Sequence, residues 1–98
     1  MEREEIEAMW ARIKALEENS LEVARQAASF EVASAYNLAA TMLVHFGEPK
    51  KIVSFTKYMQ PRYESAEKAT LDAGSTKEAF KIATEFHDDC IGYLKSLV

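Results

Sequence analysis

Glycine and proline are missing from the first half of this chain. Met1 to Phe46 contains neither, and the five helix breakers, Gly47, Pro49, Pro61, Gly74 and Gly92, all come later. Without such punctuation, the first 46 residues form either one helix of about 69 Å or two helices with a tight joint. Cysteine is almost missing too: Cys90 is alone and has no partner for an internal disulfide. A lone thiol suits a reducing compartment and points to the cytoplasm. No apolar run approaches the roughly eighteen residues that crossing a bilayer takes. The start, with Glu2, Glu4, Glu5 and Glu7, is the reverse of a basic signal peptide, so neither a transmembrane segment nor export is expected. Excess positive charge is also lacking. Twelve Lys and Arg against sixteen Asp and Glu leave a net charge of -4, so nothing is available to neutralise a phosphate backbone and nucleic acid is not an expected partner.

What remains is 98 residues, 48% hydrophobic and 29% charged, the composition of a folded chain. That length allows one domain, residues 1–98, with a thin core. Ile6, Met9, Trp10, Ile13 and Leu16 recur at three-and-four spacing, with Glu5, Arg12, Lys14, Glu17 and Glu18 left for a polar face. This pattern predicts a helix over about residues 2–18. Asn19-Ser20 is the one cap-like pair before Gly47, and Ser20 offers an N-cap for a second helix over 21–46, with Glu22 in its first turn. The segment from Leu21 to Phe46 is rich in alanine. It also carries Val23, Phe30, Val32, Tyr36, Leu38, Met42, Leu43, Val44 and Phe46, so apolar groups cover two sides and the helix reads as the centre of a bundle or an oligomer.

Phe46-Gly47-Glu48-Pro49 combines a helix stop with a helix start, and the chain should reverse there. Ile52, Phe55, Met59, Tyr63, Ala66, Ala69 and Ala73 trace a third stripe over 49–73. Pro61, which removes one backbone donor, predicts a kink or break near Met59-Gln60. Gly74 then ends this helix. Ser75-Thr76-Lys77-Glu78 is a capping box, the sharpest local signal in the chain. Ala79, Ile82, Ala83, Phe86, Cys90, Tyr93, Leu94 and Leu97 form the last stripe, over 76–97. The expected fold is all-α, an antiparallel three- or four-helix bundle with long amphipathic helices.

The search for chemistry returns little. His87 and Cys90 sit one turn apart, yet a thiol inside an apolar stripe is usually inert, because reactive cysteines need a polar, partly exposed setting. A di-metal carboxylate site needs Glu-x-x-His pairs. Position 42 before His45 is Met and position 84 before His87 is Thr, so neither histidine supplies one. There is no phosphate-binding glycine loop, no Ser/His/Asp set and no CxxC pair. Lys50, Lys51, Lys57, Arg62 and Lys68 read as a solvated face offset by Glu64 and Glu67. No enzyme, cofactor or metal is expected. Trp10 fits core packing and an interface anchor equally well.

Ala33-Ser34-Ala35-Tyr36 in an alanine-rich helix, Glu48-Pro49 opening the next, Ile52-Val53-Ser54-Phe55 and Gln60-Pro61 resemble the phasins. These are helical coat proteins of bacterial polyhydroxyalkanoate granules. The resemblance covers approximately Leu21 to Leu97. It implies a non-catalytic protein that covers a hydrophobic particle through amphipathic helices. On this reading Ile52, Phe55, Met59 and Tyr63 form a face exchangeable between a core and a particle, and Trp10, which has no counterpart in the family pattern, joins them as a candidate interaction residue on its own account. The alternative is a small helical module, an adaptor or an inhibitor, that docks on a partner protein through a helix face. Either way, long helices with apolar cover on two sides favour a homo-oligomer, a dimer or tetramer.

Overall fold

The structure, a computed structural model, describes residues 2–46 and 49–96. Among these residues the protein is all-helical, with three helices that pack on one another. Helix α1 runs from Arg3–Phe46, α2 from Pro49–Leu71 and α3 from Thr76–Ser96. Gly47, Glu48 and Leu97, to which the sequence assigned a turn and the end of a stripe, lie outside the described residues.

Neither of two candidate interruptions ends a helix. Asn19-Ser20 is not a joint, because α1 continues through it for 44 residues. A serine caps a helix only where the chain leaves helical geometry. Here Leu21, Ala24 and Ala28 on the far side are already held by packing, so the helix simply extends. Pro61 does not break α2 either. It lies on the exposed side, where the Lys57 carbonyl that loses its amide partner can reach water. One residue on, Arg62 Nη1 donates to the Tyr58 carbonyl at 2.9 Å, with its guanidinium 3.8 Å from the centre of the Tyr58 ring.

The turn between α2 and α3 follows the capping box closely. Glu78 N–H donates to Ser75 Oγ at 3.1 Å, and Glu78 Oε2 reaches back to accept from the Gly74 amide at 2.9 Å. The reciprocal bond thus goes to the residue before the cap. Helix α2 ends at Leu71, ahead of Gly74, its last turn tightened by Ala73 N–H donating to the Thr70 carbonyl at 3.3 Å. Gly74 keeps a negative φ, so the left-handed conformation that favours glycine is not used.

Packing follows from side-chain size. The core column of α1 is Ala24, Ala28, Val32, Ala35, Ala39 and Leu43, nearly all small, and α3 contributes Ala79, Ala83, Phe86 and Cys90. Small columns let helix axes approach. The larger side chains of α2 then fill the space, with Phe55 and Met59 fully buried. Tyr36, Phe55, Tyr63, Phe86 and Tyr93 form a chain of ring contacts with centroids 4.8 to 6.2 Å apart across all three helices. Polar pins sit at its edges. Tyr36 Oη donates to Gln60 Oε1 at 2.7 Å, and Arg25 Nε donates to the Ala73 carbonyl at 2.8 Å, tying the α2–α3 connection to α1.

The three-helix body uses only the second part of α1. Every residue from Glu2 to Ser20 is exposed, and the first core residue is Ala24. Residues 3–20 therefore form an arm of about 27 Å, continuous with the body helix. The molecule measures 69 × 19 × 15 Å, a length set by α1. Because the body already supplies helical turns, the arm extends α1 without the costly first turn that an isolated helix must form.

Candidate functional site

Cys90 is buried, and loss of hydration, with the Asp89 charge beside it, raises its thiol from 9.0 to about 11. A thiol that stays protonated at neutral pH is a poor nucleophile. His87 Nδ1 lies 3.7 Å from Asp88 Oδ1 with both side chains in solvent, a surface pair. Tyr63 is raised from 10.0, chiefly by its hydrogen bond to Glu67 and then by burial. Among the described residues, no group of three or more His, Cys, Asp or Glu is placed to hold a metal ion. Nor, among them, is any helix long and apolar enough to cross a membrane.

The five residues proposed as an interaction surface separate sharply. Phe55 is 1% exposed and Met59 0%, while Ile52 and Tyr63 are half-buried against the same cluster. Phe55 and Met59 reach a surface only if the body opens, while Ile52 and Tyr63 present only part of their side chains. Trp10 is the exception: it is 67% exposed on the arm, with no core around it.

Most of the exposed apolar side chains described instead belong to α1, with Val53, Tyr58, Leu71, Phe80 and Ile91 the exposed ones on α2 and α3. Ile6, Met9, Ile13 and Leu16 are exposed on the arm, and Val23, Phe30, Leu38, Met42 and Val44 on the body. Phe30, at 72%, is the most exposed large apolar side chain described. At 3.6 residues per turn the Val23–Phe30 side is turned roughly 140° from the core column, so packing of α2 and α3 leaves it open. Sequence reasoning read these residues only as apolar cover on a second side. The signal that singles them out is the arm's own spacing carried past Leu16 to Val23 and Phe30.

Two grooves border this face. One, of about 490 Å³, lies between α1 and α3 and is lined by Phe30, Ser34, Ala35, Leu38, Ala83 and His87 among others. The second, of about 430 Å³, is lined by Ile13, Leu16, Ser20, Leu21, Ser75 and Thr76, where the arm meets the α2–α3 turn. Their walls are mainly apolar with isolated polar groups. Such surfaces hold hydrophobic side chains or chains by burial. Compared with protein-family models, with curated proteins and with solved structures, the chain matches none.

Proposed function

We propose that this chain is a non-catalytic helical binding protein whose working surface is the open apolar face of α1. The observation that carries this reading is the exposure of Phe30, Leu38, Met42 and Val44 around a core column that is already packed, Met42 and Val44 standing on either flank of buried Leu43. Contiguous apolar surface on a folded chain marks a place of contact. In this reading α2 and α3 run antiparallel to their neighbours and serve as the brace that holds α1 straight.

Two occupants fit the face. The first is the surface of a hydrophobic particle, as the resemblance to the phasins implies. The breadth of the exposed cover in the body part of α1 favours it, since Leu38, Met42 and Val44 spread over more than one narrow stripe. The charged sides of α2 and α3 then face water and keep particles apart. The second is a partner protein's helix seated in the groove between α1 and α3, where His87 and Glu31 offer polar edges to an apolar floor.

Co-sedimentation with polyhydroxybutyrate particles, polystyrene beads and liposomes tests the first occupant. The protein should pellet with the polyester and the beads and not with liposomes. Leu38→Glu combined with Met42→Glu should reduce that binding about ten-fold, the equivalent of about 1.4 kcal/mol. Absence from every pellet sets the coating role aside and leaves a protein partner as the occupant.

A further inference from the structure

The arm has an additional property that neither occupant explains. From Ile6 onward the exposed residues of α1 keep a seven-residue repeat: Ile6, Ile13, Ser20 and Ala27 on one row, and Met9, Leu16, Val23 and Phe30 on the other. That is more than three heptads, with a 3.5-residue average spacing that matches a left-handed supercoil of two helices rather than a flat surface. The rows begin with isoleucine in the first position of the heptad and Met and Leu in the fourth. β-Branched residues in the first position with leucine in the fourth favour two parallel strands. The flanking positions agree. In a parallel, in-register pair, Arg12 of each copy faces Glu17 of the other, one opposite-charge contact repeated by symmetry, while the neutral Gln26 faces Glu31 and no like-charge contact forms. A head-to-tail overlap of the same stretch, with Ile13 opposite Phe30, brings Glu17 toward Glu31 instead.

From this we infer that the arm is a dimerisation element: two copies of the chain pair in parallel along the Ile6–Phe30 seam, with Trp10 beside it and the two bodies at the same end. This explains why the first 18 helical residues carry an apolar stripe that stays exposed, bordered by its own chain only where the α2–α3 turn approaches Ile13 and Leu16 among the described residues. Ser20, a polar side chain in a row otherwise apolar or small, then sits mid-seam and helps fix register, as buried polar groups do in coiled coils. The inference rests on reading the α1 face as a binding face and adds a second copy as the occupant of its arm portion.

The test is sedimentation equilibrium at micromolar concentrations, paired with cysteine cross-linking. The 11.1 kDa chain should sediment at about twice its mass, and Ile13→Glu with Leu16→Glu should return it to a single chain. Those substitutions lie outside the body, so an unchanged near-ultraviolet circular dichroism signal from the tyrosine cluster shows that folding is intact. In a Cys90→Ala background, Ala27→Cys should form an intermolecular disulfide under mild oxidation, because the parallel in-register seam sets the two positions opposite each other. A chain that sediments alone, a dimer indifferent to Ile13→Glu/Leu16→Glu, or a dimer in which Ala27→Cys does not cross-link each overturns the proposal. If the chain is monomeric and still pellets with polyester particles through Leu38 and Met42, the dimer fails while the binding role of α1 stands.

Discussion

The arm and the body of this molecule are built from the same kind of helix and differ in whether their apolar stripe finds a partner within the chain. In the body, the stripe of α1 is nearly all alanine, and it is covered by Phe55, Met59 and Phe86 from the other two helices. In the arm, the stripe is Ile6, Met9, Ile13 and Leu16, large side chains that stay exposed. Large residues facing water and small residues facing the core reverse the usual distribution. The reversal follows if the two stretches answer to different neighbours: close-packed helices of the same chain for one, and an external partner for the other.

Mutations should separate the two regions. Phe55→Ala removes the ring at the centre of the aromatic chain and should cost about 3–5 kcal/mol, a large share of the total stability of a small domain. A urea titration followed by circular dichroism reads this directly. If Phe55→Ala changes stability by only a few tenths of a kcal/mol, the body core is not where this account puts it.

Alkaline pH probes the same core more gently. The Cys90 thiol is raised from 9.0 to about 11 in the folded chain, so its contribution is fully present below pH 9 and disappears as pH rises from 9 to about 11. Stability should fall across that window, and Cys90→Ala should flatten this part of the curve. Thiol-directed reagents should leave the native protein unmodified at neutral pH and react once urea unfolds it.

At the α2–α3 turn, Ser75→Ala deletes the acceptor for the Glu78 amide and should lower stability by about 1 kcal/mol. In a thermal melt that corresponds to about 4–8 °C for a domain of this size. The smallest effect belongs to the arm. Trp10→Ala should leave the stability of the body within about 0.5 kcal/mol, because the Trp10 side chain is exposed and outside the core. A larger loss shows that the arm packs on the body, and the contrast between the two regions collapses.

Much of this arrangement was readable from residue order. The capping box placed the start of α3, Pro49 placed that of α2, and the apolar spacings identified the residues of α2 and α3 that pack, Phe55, Met59, Ala79, Ala83, Phe86 and Cys90. Local rules were weaker where a signal had two outcomes. Ser20 has the right side chain for a cap, but whether a helix stops there depends on the packing of the turns beyond it, and Pro61 interrupts a helix only when its missing donor is buried. The candidate surface was harder still. Ile52, Phe55, Met59 and Tyr63 form a proper stripe, and a stripe alone does not say whether water or another helix faces it. The alanine column on α1 decides that, since it provides the shallow wall into which Phe55 and Met59 fit. Phe30 escaped notice because, within an alanine-rich segment, it looked like one more apolar residue, and only its heptad relation to Leu16 and Val23 sets it apart.

The central claim is that α1 is one continuous helix whose body part is held by its own chain and whose arm is held by something else. Hydrogen exchange, resolved by peptide, measures both parts at once in the unmodified protein and in Ile13→Glu/Leu16→Glu. The account predicts protected amides over residues 24–43 in both proteins, and protection over 6–20 that is present in the unmodified chain and lost in the variant. Rapid exchange of 6–20 in both proteins, or loss of protection in the body when only the arm is changed, would contradict it.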